Sequence, residues 1–82
     1  MKSELFSNAI SRRNRVRFLY LMNEVILDPY YLGREKNGKK VIYGRVLNST
    51  AIKKFEYKRI VNLKIINEVI FSPIIPLMSK VS

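Results

Sequence analysis

The stretch from Lys40 to Ile60, KVIYGRVLNSTAIKKFEYKRI, constrains the fold more than any other part of the chain. Its first arm, Lys40 to Leu47, is rich in β-branched and aromatic side chains, which suit a pleated and half-buried surface. Asn48-Ser49-Thr50 then offers short polar side chains that bond to turn backbone, and Ala51 to Lys58 returns as a second extended arm. Just upstream, Asn37-Gly38 is the favoured pair for a two-residue type I′ turn, so Leu32 to Lys36 is expected to pair with Lys39 to Leu47. Chained hairpins of this kind predict an antiparallel sheet.

The remaining segments are expected to close around it. Ser3 to Arg12 reads as a short helix, with Ser3 as its cap, Glu4 at the positive end and Arg12 and Arg13 at the negative end. Leu5, Phe6, Ala9 and Ile10 share one face, which a helix this short must lay against something else. A strand follows in which Val16, Phe18 and Tyr20 point to the core and Arg15, Arg17, Leu19 and Leu21 point away. Met22-Asn23 is expected to turn the chain, and Glu24 to Asp28 to form a strand that Pro29 ends. Tyr30 to Gly33 reads as an irregular or edge segment. Arg59 to Asn62 predicts a 3₁₀-like turn, and Leu63 to Ile66 a last strand. From Val69 to Met78 the chain is uncharged and carries two prolines, so these side chains are expected to wrap the domain or dock on a neighbour. The fold class is therefore mainly β, with about five strands and one short N-terminal helix, in a single domain spanning 1–82.

Composition narrows the chemistry. At 82 residues a lone core supplies only about 3 to 5 kcal/mol, so partner burial or self-association is a reasonable expectation. The chain has no Cys and no His, which removes disulfides, thiolate metal sites, thiol nucleophiles and the commonest general base. The six acids are scattered singly rather than clustered. A non-enzymatic protein with no cofactor and no metal is expected. Sixteen Lys and Arg against six Asp and Glu give a formal net charge of +10, which favours a partner carrying negative oxygens. Charge-lead and apolar-core features of a secretory signal are missing at the start, and no apolar run approaches the ~20 residues of a membrane span. A cytoplasmic protein with no membrane partner is expected.

Two groups of residues carry the binding chemistry. Arg12, Arg13, Arg15 and Arg17 crowd four guanidinium groups across the junction of helix and strand, and such forks match phosphate and carboxylate oxygens. The alternative is a solvated strand edge that resists sheet-to-sheet aggregation. Tyr43 beside Arg45 places a ring and a fork on one surface, the combination that stacks a base and holds a phosphate. Gly44 between them leaves room for a ligand or a second backbone.

The order of residues resembles the WYL domain, a family of small Sm-like, SH3-type β-barrels usually found in bacterial regulators. The resemblance runs from Leu5 to Pro73. Ala9-Ile10 with Arg13 is similar to the opening helix of the family; Val16, Phe18 and Tyr20 resemble its first strand. Asp28-Pro29 followed by Leu32 is similar to its valine-x-proline, then leucine segment. Phe55-Glu56-Tyr57-Lys58-Arg59-Ile60 is similar to its Phe-Arg-Leu-Asp-Arg-Ile corner, and Phe71 with Pro73 to the Phe and Pro after its last strand. Lys40-Val41-Ile42 occupies the three positions that name the family, and only the aliphatic third is kept; Glu56 and Lys58 replace the Arg and Asp of the corner. The resemblance implies a barrel over about 15–67, between a helix at about 3–12 and an apolar tail at 69–82. It also implies a regulatory module, here a free-standing copy, that binds nucleic acid or a nucleotide-like ligand.

Two functional expectations follow. The first is a non-catalytic module for an anionic ligand, single-stranded nucleic acid or a nucleotide-type molecule, with Tyr43, Arg45 and Arg59 lining the site and Arg13, Arg15 and Arg17 extending it. The second is a structural module that forms a homo-oligomer, or holds a partner protein, through the C-terminal tail and the sheet edges.

Overall fold

The computed structural model describes residues 2–71, with backbone only for 67–69. The tail from 72 onward, on which the expected tail contacts fall, lies outside the described residues. Helix α1 (Lys2–Arg12) precedes five strands, β1 (Asn14–Tyr20), β2 (Asn23–Arg34), β3 (Lys40–Val46), β4 (Ile52–Glu56) and β5 (Ile60–Ile70). The strands form one antiparallel sheet in the order β4-β3-β2-β1-β5. A 3₁₀ turn at Tyr57–Arg59 joins the two edge strands. The fold is mainly β with one short N-terminal helix, and among the described residues no ladder joins β4 to β5 to close the sheet.

Alternation along β1 sorts its side chains: Val16 and Phe18 are fully buried, while Arg17 and Leu19 are exposed on the opposite, outer face. Phe6 and Ala9 of α1 cover the inner face, meeting Val16, Phe18, Leu27, Ile42, Phe55 and Ile60. Each large side chain buried there is worth about 1.5–3 kcal/mol, which is what keeps an otherwise marginal helix folded. Phe55 anchors the ring cluster, edge-on to Phe18 at 5.4 Å and 4.9 Å from Tyr20. The Tyr20 hydroxyl in turn accepts a 3.1 Å hydrogen bond from the Glu56 amide, tying β1 to the end of β4.

Several local expectations are corrected. The helix begins at Lys2, so Ser3 lies within its first turn rather than capping it. Strand β2 runs through Pro29 to Arg34 instead of stopping at Asp28. Pairing with β1 ends at Leu27, so beyond that point β2 has a ladder on the β3 side alone, where the absent proline amide costs least. A register shift between Pro29 and Tyr31 makes Tyr30 the extra residue of a bulge, and Tyr30 is buried in a stack on Phe71 at 5.8 Å. Gly44 sits opposite Pro29, and a Cβ there would lie 2.5 Å from the Asp28 carbonyl oxygen. The space above this glycine is thus taken by the β2 backbone, not by a ligand.

The turns also differ. Only Gly38 of the Asn37-Gly38 pair has positive φ. The loop closes through Gly38 N to Glu35 O at 2.8 Å and Glu35 N to Lys39 O at 2.9 Å, a three-residue connection ending in a glycine bulge. The two-residue loop with both centres at positive φ is instead Leu21-Met22, between Tyr20 and Asn23. The 3₁₀ turn falls two residues before its expected start, and β5 extends from Ile60 to Ile70. Among the described residues no helix is long and apolar enough to cross a membrane.

Candidate anion-binding site

The outer face carries the charged residues. Asp28 of β2 lies directly opposite Arg45 of β3, and Arg15 of β1 occupies the next position on the other side. Arg15 donates from Nε to Asp28 Oδ1 at 2.7 Å, and Arg45 from Nη2 to Oδ2 at 2.8 Å. Asp28 is 1% exposed, while the arginine side chains keep 22% and 19% of their surface in solvent. Two guanidinium groups therefore share one buried carboxylate, and one positive charge in this row remains uncompensated. Arg45 Nη1 donates a further 3.3 Å bond to the Ser49 carbonyl, and its buried Nε has no hydrogen-bond partner among the described residues.

One row along the same face, Tyr43 stacks on its cross-strand partner Tyr31 with centroids 4.6 Å apart and planes 19° from parallel. Both rings are half-buried. A side chain at Gly33 would strike the Tyr43 ring at 2.9 Å, so this glycine lets the ring lie flat. Tyr31 also lines a cavity of about 240 Å³ between β2 and α1, with Ser7, Ile10, Ser11, Tyr30 and Leu32.

The structure thus gathers Arg15, Arg45 and Tyr43 on one surface. Arg17 continues the Arg15 column and contacts Glu24 at 3.6 Å, with both side chains about half exposed. Arg13 takes a left-handed conformation at the helix end, its amide bonding the Ile10 carbonyl at 3.1 Å and its carbonyl accepting from Phe71 N at 2.9 Å. Its side chain is exposed at that corner. Arg59 is not brought to Arg45. It pairs with Glu56 at 3.1 Å, and Glu56 lies opposite Val41, about 13 Å of strand away from Arg45. The Arg59 guanidinium holds the Glu56 carboxyl below the usual carboxylate range, and Glu35 raises the Lys54 ammonium through a direct hydrogen bond.

Sequence reasoning did not place Asp28 or Tyr31 in the site. Asp28 stands at the expected end of a strand, where an acid between apolar neighbours in a basic chain is a signal for a paired buried charge. Tyr31 could be found only once the bulge fixed which of two adjacent tyrosines meets Tyr43. Among the described residues no cluster of three or more acids, His or Cys could hold a metal ion. No family model, no curated protein and no solved structure matches the chain.

Proposed function

We propose that this protein is a non-catalytic module that binds an anionic ligand, single-stranded nucleic acid or a nucleotide-type molecule, on the outer face of its sheet. The observation that carries the reading is the pair of arginines on one buried carboxylate beside the half-exposed Tyr31–Tyr43 stack. The shared carboxylate fixes both forks in place and leaves net positive charge and unused N–H donors at the surface, while the rings offer a platform for a base. Positioned donors lose less entropy on binding than mobile lysines do. We further propose that the sheet belongs to a WYL-like, SH3-type barrel and acts as a cytoplasmic regulatory domain. Support for the barrel comes from the strand order, with a 3₁₀ turn linking the two edges.

Fluorescence anisotropy with labelled oligonucleotides tests the binding. The expected result is affinity that falls as salt rises, and weakened binding by Tyr43→Leu and by a balanced Arg15→Met, Asp28→Leu, Arg45→Met variant. No salt-sensitive binding at low ionic strength, or full binding by both variants, overturns the reading. Two sheet edges, β4 and β5, which pair with no further strand among the described residues, favour self-association as a second reading. Sedimentation equilibrium decides it, since a monomer at high concentration excludes it.

A further inference from the structure

The β1–β2 hairpin ends in a turn whose residues do not suit it. Leu21 and Met22 hold φ of 51° and 72°, a region that two-residue hairpin loops normally fill with Asn, Asp or Gly. Both side chains are also in solvent, at 59% and 96% exposure. Strain and exposed apolar surface at one point are features that folding alone does not favour, and such outliers gather where a chain contacts something else.

The surroundings indicate what that is. Leu19 and Val61, cross-strand partners just behind the tip, are exposed and widen the apolar surface. The next row holds Arg17 and Lys64, also partners across β1 and β5, and Lys64 has no acidic partner among the described residues. The register shifts at this point, with one extra residue on β5 and Asn62 at φ 58°, the pattern of a bulge. Between the rows lies a cavity of about 210 Å³ lined by Arg17, Leu19, Glu24, Asn62 and Lys64. Glu24 is the one acid there, and it faces Arg17. Two cations therefore stand about 7 Å along the strand from the Leu19–Val61 pair and about 13 Å from Leu21 at the tip, so a phosphate held at Arg17 and Lys64 lies further along a bound strand than the bases at the tip.

We propose that this tip is a wedge for single-stranded nucleic acid: Arg17 and Lys64 hold a phosphate over the cavity, and Leu21 and Met22 separate two adjacent bases. This inference rests on the nucleic-acid form of the proposed function and adds a second contact point to it. Apolar side chains such as Leu and Met insert between base steps of duplex DNA and partly unstack them, and unstacking costs less in a strand that is already single. The Arg15 and Arg17 column leads along β1 from the buried Asp28 to the tip, so one strand can touch both places.

The test uses an oligonucleotide with two adjacent 2-aminopurines, whose mutual stacking quenches their emission. Separation by Leu21 and Met22 is expected to raise the emission several-fold, because aliphatic groups do not quench it whereas stacking on Tyr43 would. Leu21→Asn with Met22→Gly removes the wedge with residues that the turn prefers, so the fold is retained. This variant is expected to lose the emission rise and about tenfold in affinity, and Lys64→Ala to reduce the salt slope by about 0.7. Salt-sensitive binding with an unchanged emission rise and affinity in the turn variant overturns the wedge but leaves the module reading standing. No salt-sensitive binding at all overturns both. Tip-dependent binding to anionic vesicles, with no tip effect on the oligonucleotide, overturns the wedge in favour of a lipid surface.

Discussion

Replacing Asp28 by Asn tests the central cluster most directly. The substitution keeps the size of the side chain but removes the charge that two guanidinium groups share at 2.7 and 2.8 Å. Hydrogen bonds to charged groups contribute about 1.5–3 kcal/mol each, and removing one member of a buried pair costs about 3–5 kcal/mol because the other is left uncompensated. Both arginines keep about a fifth of their surface in water, at 22% and 19%, which places the expected loss near the lower end, about 3 kcal/mol. For a domain of this size that is a large share of the whole stability. Urea unfolding followed by circular dichroism should show the midpoint moving sharply down with an unchanged slope. The balanced variant Arg15→Met, Asp28→Leu, Arg45→Met removes all three charges together and should recover most of the loss, within about 1 kcal/mol of the parent or above it. A loss below about 1 kcal/mol for Asp28→Asn would refute the reasoning, since the carboxylate would then not be holding the forks. Recovery of stability without recovery of oligonucleotide binding would place the cluster's purpose in recognition.

Other expectations follow from single contacts. Gly44→Ala puts a methyl group 2.5 Å from the Asp28 carbonyl oxygen and 2.9 Å from Leu27 Cγ, and should cost about 2–3 kcal/mol in a denaturant melt; a neutral result would mean that β2 does not approach β3 so closely. Leu21→Asn with Met22→Gly should raise stability by about 1–2 kcal/mol, seen as a higher Tm, and a lowered Tm would show that the tip is not strained. Burial pushes the Tyr57 phenol up, against the partial offset of the Ser3 hydroxyl. A raised folded pKa gives stability that is full below the unfolded value and lost as pH rises through the folded one. Tyr57→Phe should therefore flatten the alkaline decline in stability above about pH 10, measured by thermal melts across that range. Glu56 has the opposite sign: Arg59 lowers its pKa, so its contribution is present above the unfolded value and fades as pH falls through the folded one. Arg59→Ala should reduce the acid sensitivity of Tm at low salt.

Much of the architecture was legible in the chain. Period-two patterning put Val16 and Phe18 inside and Arg17 outside, and a helix too short to stand alone had to cover the sheet with Phe6 and Ala9. The excess of cations fixes a net charge of +10 with no reference to any fold, and the anionic partner proposed above rests on that charge. These properties depend on spacing along the chain and on total charge, which any reader of the sequence can count.

The site required the third dimension. Arg15 and Arg45 are 30 positions apart in sequence, and only register across β1, β2 and β3 sets both on Asp28. The bulge at Tyr30 decided that Tyr31 would meet Tyr43, because one extra residue shifts every later side chain to the other face. Register likewise parted Arg59 from Arg45, since their neighbours on β3 and β4 lie at opposite ends of the ladder. The sequence by itself determined which side chains would be hidden and the sign of the net charge the chain carries. Which charges share a carboxylate, and which stand apart, was decided by strand alignment, because electrostatic pairing depends on distance through space and local patterning leaves that distance open.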